Sequence, residues 1–265
     1  MATTDTRGFL AAHHVFTVDE FRDHLGTAVP RHSVWSRLAH AEERGWVERV
    51  TRGVYLSRVG LFADHQPDRL VVASRLAPDA VLVYHSALEA AGVAHSVFFE
   101  TTVSSTRTAR EWTFENARYR RLRERPQLTD PMVRQRFTET ARRGDDLLLT
   151  ASRERTFADC LDRPDLSGGL EEVLRSLGGL PSLRVEDVLA YLDLFDSPTM
   201  TARVAWVLGA VPDLWRLTAH DLKSFRDRLG SGPYYVERSK SEARFVNEWR
   251  LYVPADLDVE ELLTG

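Results

Sequence analysis

TVDEFRDHLGTAVPRHSVWSRLAHAEERGWVERVTRGVYL, residues 17–56, specifies the architecture of the N-terminal part of the chain. Thr17 stands three residues ahead of Glu20, a capping-box spacing in which side chains satisfy backbone N–H groups that a helix start leaves free. Val18, Phe21 and Leu25 follow at i, i+3 and i+7 as one apolar stripe, and Gly26 can end the helix at little conformational cost. After the turn GTAV, Pro30 suits a first helical position, and no breaker appears before Gly45. The spacing therefore predicts two helices joined by a four-residue, glycine-containing turn, which is the helix-turn-helix arrangement.

On a helical wheel Val34, Leu38 and Ala41 of the second helix fall together as its core side, with Trp35 and Ala39 flanking them. The opposite arc carries His32, Ser33, Ser36, Arg37, His40, Glu43 and Arg44, several of which can donate to phosphates or base edges. Taken alone, such an arc is more often a solvated helix face. The residues after Gly45 shift the balance: WVERV, TRG and VYL predict two short strands around a glycine turn. Helix, turn, helix and hairpin in this order is the winged helix-turn-helix layout. Its second helix enters the major groove of double-stranded DNA, and its hairpin rests on the neighbouring backbone. The expected DNA-contact set is Arg31, His32, Ser33, Ser36, Arg37, His40 and Arg44 on the helix, with Arg49, Thr51 and Arg52 on the hairpin. A winged helix reused for protein contacts is the competing reading.

The charge pattern requires any such contact to be local. The 265 residues carry a formal charge of −4 at 43% hydrophobic content, enough to bury a substantial core but not to spread a positive field over the whole surface. Basic and acidic residues number eight against seven over 1–58 and two against five over 59–100. Over 101–143 they number eleven against five, and from 144 onward fourteen against twenty-two. The most basic run holds Arg118, Arg120, Arg121, Arg123 and Arg125. It is open to two readings, a second nucleic-acid surface or a solvated, salt-bridged sheet face.

Further along, YHSALEAAGV (84–93), RERTFADCLDRPDLSGGLEEVL (153–174) and PYYVERSKSEARFVNEWRLYVP (233–254) punctuate the chain. Together with ERGWVERVTRGVYL (43–56), and in this order, they resemble the AbiEi-type antitoxins of type IV toxin-antitoxin and abortive-infection operons, which act in phage defence. The resemblance covers most of the chain and is weakest over 101–150. It implies an antitoxin that binds inverted repeats in its own promoter through the winged helix and represses the operon. It also implies a nucleotidyltransferase-like toxin encoded nearby, opposed without a stable complex between the two.

The remainder predicts an α+β domain over 61–265, behind a winged helix-turn-helix over 1–60. Residues 67–92 suggest helix, strand and a helix closed by Gly92, and residues 96–122 a strand meander. From 153 the pattern turns helical. Asp187, Ser197 before Pro198, and the pair Thr218 and Asp221 serve as start signals. Strands return at PYYVER and EWRLYVP.

No catalytic constellation, cofactor site or metal site is expected. LGSGP near 229 lacks the lysine of a phosphate-binding loop and follows a helix. His13 and His14 are adjacent, while His85, His95 and His220 are isolated. Asp159, Asp162 and Asp165 are spaced as magnesium ligands can be, but a helix end followed by a turn explains them equally well. Cys160, the single cysteine, reads as a small buried residue and fits a reducing cytosol. The start MATTDTRGFLAAHH lacks the pattern of a secretory leader, and VAWVLGAV (204–211) is far short of a membrane span, so a soluble cytoplasmic protein is expected. A ligand-responsive winged-helix regulator and a nucleic-acid-processing enzyme are the alternative functional readings.

Overall fold

The computed structural model describes residues 5–236 and 242–265. Residues 1–4 of the opening stretch and residues 237–241 of the 233–254 segment lie outside the described residues. The chain opens with α1 (Thr6–Ala12) and β1 (Val15–Thr17), followed by α2 (Val18–Leu25) and α3 (Arg31–Glu43). The hairpin strands are β2 (Val47–Thr51) and β3 (Val54–Ser57). The expected order of helix, turn, helix and hairpin is present, and both arms of the capping box form. The Thr17 N–H donates to Glu20 at 2.6 Å, and the Glu20 N–H donates to the Thr17 hydroxyl at 3.1 Å. Pro30 caps α3 from outside the helix rather than opening it. β1 pairs antiparallel with β3, adding a third strand to the hairpin.

The larger part is a mixed α+β structure. In chain order come α4 (Arg69–Ser74), β4 (Val81–Leu82), α5 (His85–Ala90), β5 (Glu100–Ser105), β6 (Arg110–Phe114) and β7 (Ala117–Arg123). Next are α6 (Pro131–Arg136), β8 (Thr138–Arg143) and β9 (Asp146–Ala151). The six strands stand in the order β6-β7-β5-β4-β9-β8. The expected meander over 96–122 is not what forms, because β5 pairs with β7 in parallel and β6 is pushed to the outer edge. β7 ends at Arg123, so Arg125 of the basic run lies beyond the strand.

A helical layer comes next: α7 (Arg153–Asp162), α8 (Leu170–Gly178), α9 (Val185–Asp193), α10 (Pro198–Ala210) and α11 (Ala219–Arg226). Ser197 caps α10, and Thr218 with Asp221 forms the second capping box. Asp187 sits inside α9 rather than at its cap. β10 (Tyr234–Tyr235), β11 (Ala243–Val246) and β12 (Leu251–Pro254) make a small sheet, and α12 (Val259–Thr264) lies against α8. The strand expected at EWRLYVP forms as β12, starting only at Leu251 because residues 247–249 make a 3₁₀ turn, and β11 ahead of it is a strand that was not expected.

Three apolar clusters matter for the site. Phe9, Leu10, Phe16, Phe21, Val34 and Leu38 build the core around α2 and α3. The helical layer forms the largest cluster, around Phe157, Val173, Tyr191 and Trp206. The third crosses from one part to the other: Val15, Val50, Val54 and Leu56 of the three-stranded sheet pack with Leu70, Val72 and Leu82.

Candidate nucleic-acid interface

Because Val34, Leu38 and Ala41 are buried, α3 can turn only its opposite arc outward. His32, Ser36, Arg37, His40 and Arg44 are exposed and Ser33 is half-buried. Arg37 and Arg52 make no hydrogen bond or ion pair among the described residues, which leaves their guanidinium donors free for a ligand. Arg31 reaches Asp19 at 3.4 Å, His40 reaches Glu43 at 3.6 Å, and both pairs are solvent-exposed and therefore weak. Arg44 stacks over Trp46 at 5.0 Å. On the hairpin, Arg49 and Arg52 are exposed and Thr51 is half-buried. Gly53 takes φ 89° at the turn, a conformation that a side chain there would strain.

One wheel position departs from expectation. Trp35, expected beside the core, is 39% exposed, and Ala39 is exposed as well. The indole faces a cleft of about 540 Å³ between the helix-turn-helix and the larger part of the chain. Arg31, Trp35 and Arg52 line one side, and residues 74–78 with Arg107 line the other. No periodicity marks Arg107; its only signal in the sequence is membership of the basic 101–143 region.

The arginine run of 118–125 is not assembled into one basic face. Arg120 lies 3.1 Å from Glu100 and 2.9 Å from Glu111, and Arg118 reaches the same two carboxylates. Arg121 donates to the Leu76 carbonyl at 2.9 Å and the Thr108 carbonyl at 3.1 Å. Arg125 turns inward to Asp162 at 2.8 Å. Arg123 alone of the five is exposed with no partner among the described residues.

Behind the sheet lies a buried charge network that the sequence did not announce. Arg155, 2% exposed, donates from Nη2 to Glu124 at 3.0 Å and from Nε to Asp159 at 3.2 Å. The Tyr191 hydroxyl donates to Asp159 at 2.7 Å. With Asp162 on Arg125 and Asp165 on Arg163, all three carboxylates of ADCLDRPD are committed to arginines. Among the described residues no group of three or more His, Cys, Asp and Glu is arranged to hold a metal ion. Burial pushes the Cys160 thiol up to about 12, as suits an inert packing residue. Among the described residues no helix is long and apolar enough to cross a membrane.

A helix-turn-helix with an exposed arginine-bearing helix, carried on a larger α+β body, is the class of domain that the fold and this surface define. Within that class, residues 9–58 match the family model described as transcriptional regulator, AbiEi antitoxin, and the resemblance to the AbiEi-type antitoxins is borne out there. The whole chain also resembles the crystal structure of the RV2827C protein from Mycobacterium tuberculosis. The TM-score is 0.59 at 14% identity, over 93% of this chain and 89% of that one, a likeness of fold alone. No curated protein matches.

Proposed function

We propose that this protein is a DNA-binding antitoxin and the transcriptional autorepressor of a type IV toxin-antitoxin operon. In this reading it docks α3 in the major groove of inverted repeats in its own promoter and lays the β2–β3 hairpin, the wing, on the adjacent backbone. The observation that carries the reading is the coincidence of two things in one stretch. The residues that match an antitoxin and regulator family also hold a helix whose outward arc is polar and, at Arg37, free of any partner among the described residues. In this reading Arg37 reads a guanine edge through its two-pronged guanidinium, and Arg52 of the wing takes a phosphate. The partner gene encodes a nucleotidyltransferase-like toxin, opposed without a stable complex. The protein acts in the cytoplasm and by binding, not by catalysis.

Protection mapping of the upstream promoter by the intact protein tests this reading. Two protected, symmetry-related half-sites are expected. A promoter left uniformly accessible at saturating protein refutes the proposal.

A further inference from the structure

We infer that residues 106–110, in the larger part of the chain, belong to the DNA interface, where Arg107 and Arg110 take phosphates of the backbone that passes the wing tip. This rests on the proposed function and extends its contact surface beyond the helix-turn-helix.

Placement comes first. Arg107 lines the same cleft as Arg31, Trp35 and Arg52, so a strand resting on the wing meets the larger domain at this loop. Rigidity comes second. Asp79 accepts from the Ser105 hydroxyl at 2.6 Å and from the Thr106 N–H and hydroxyl at 2.8 and 2.6 Å. The Arg107 N–H donates to Ser105 Oγ at 3.1 Å, and Arg121 holds the Thr108 carbonyl. A loop so tied contributes cations whose backbone is already ordered, which lowers the cost of using them.

The charges supply the third step. Arg107 and Arg110 are exposed and make no ion pair among the described residues; Arg110 stacks over Trp112 at 5.9 Å. Burial and then the charges of these two hold Arg121 below the usual arginine range, so three guanidiniums repel one another at this corner. On the same strand Arg118 and Arg120 are each matched by two carboxylates. Asp79 acts against these charges but also faces Arg134 at 3.5 Å, so this corner keeps an excess of positive charge beside a matched face, the arrangement that a polyanion relieves. Of the carboxylates in the cleft, Asp19 is on Arg31 and Glu20 on Arg75, so Asp23 alone opposes Arg52 and Arg107. Trp35 adds an open apolar surface that suits the sugar edge of the backbone.

The test is a binding titration of the full chain on a promoter duplex over a range of salt. Arg107→Ala and Arg110→Ala should each weaken binding about five- to tenfold near 0.1 M salt, equally on unrelated sequences. Each should also flatten the slope of log K against log salt by about 0.9. Arg118→Ala, which removes the same charge from the matched face, should change affinity less than about twofold. If the wild type binds and Arg52→Ala weakens it, but neither Arg107→Ala nor Arg110→Ala does, the inference is overturned while the proposed function stands. If the wild type binds no duplex, both fail.

Discussion

Replacing Arg155 with methionine removes a buried cation held between two buried carboxylates, and its cost can be worked from the surrounding contacts. Glu124 and Asp159 are 4% and 1% exposed, so neither can recover its lost partner from water. Breaking a buried pair by deleting one member costs about 3–5 kcal/mol. Both carboxylates keep some support. Glu124 accepts from the Ser104 hydroxyl at 2.8 Å, and Asp159 from Tyr191, with Arg125 at 3.5 Å. We therefore expect a loss near the middle of that range, about 4 kcal/mol, or roughly 8–16 °C in Tm for a chain of this size. Burial alone would lower the Arg155 pKa, but Tyr191, Asp159 and Glu124 outweigh it and raise it, so the side chain is charged at every working pH. Adding Glu124→Gln and Asp159→Asn should restore most of the lost stability, because a neutral cluster of similar volume carries no uncompensated charge. Calorimetric melts of the single and triple variants read both outcomes. A single variant melting within about 2 °C of wild type, or a triple variant no better than the single, refutes the assignment of this network as the central polar tie of the fold.

Three other expectations concern the docking face, a buried histidine and a close helix approach. Arg37→Ala should weaken promoter binding by about 1–3 kcal/mol and relax sequence preference at one position, whereas Arg52→Ala should weaken all sequences and flatten the salt dependence; unchanged gel shifts for both would sink the docking face. His85 is buried, stacked on Phe98 at 4.0 Å, and held below its usual pKa by desolvation despite Glu172 at 3.3 Å. Because that folded-state pKa is depressed, stability should be full above about 6.5 and fall as pH drops below it. His85→Gln should flatten the difference between melts at about pH 7.5 and 5.5, while an unchanged difference would move the effect elsewhere. A Cβ at Gly178 would collide with the Leu263 carbonyl oxygen, so Gly178→Ala must displace α12 and should cost about 1–3 kcal/mol, read as a lower Tm.

Local signals were legible because the physics that makes them is local. Thr17 with Glu20, Thr218 with Asp221, and Ser197 before Pro198 each close a cap within four residues, so sequence spacing alone specifies the contact. The parallel pairing of β5 with β7 was not legible. Three strands in succession default to neighbours in order, and only tertiary packing decides that the middle one moves outward. The arginine run failed for a related reason. A count along the chain cannot see that Glu100 and Glu111 stand on the two strands flanking Arg118 and Arg120. Arg155 was hidden by the opposite effect: residues 154–161 of α7 are all buried, so the helix has no polar face on which burial periodicity could be read.

The same limit explains why the interface read from residues 31–52 was incomplete. Glu20 accepts from the Thr17 N–H through one carboxylate oxygen and meets Arg75 at 3.0 Å through the other, while Arg75 also holds Asp146 at 2.7 Å. Arg58 likewise joins Glu48 on β2 to Glu115 at the β6–β7 turn, at 2.6 and 2.9 Å. With Val15, Val50, Val54 and Leu56 packed on the larger part as well, the helix-turn-helix is seated on that body by an apolar sheet face and two bridging arginines. The residue that starts α2 therefore also helps fix where α3 points relative to residues 106–110. The contact surface proposed above draws on Trp35 and Arg107, which line one cleft only because both parts are folded together.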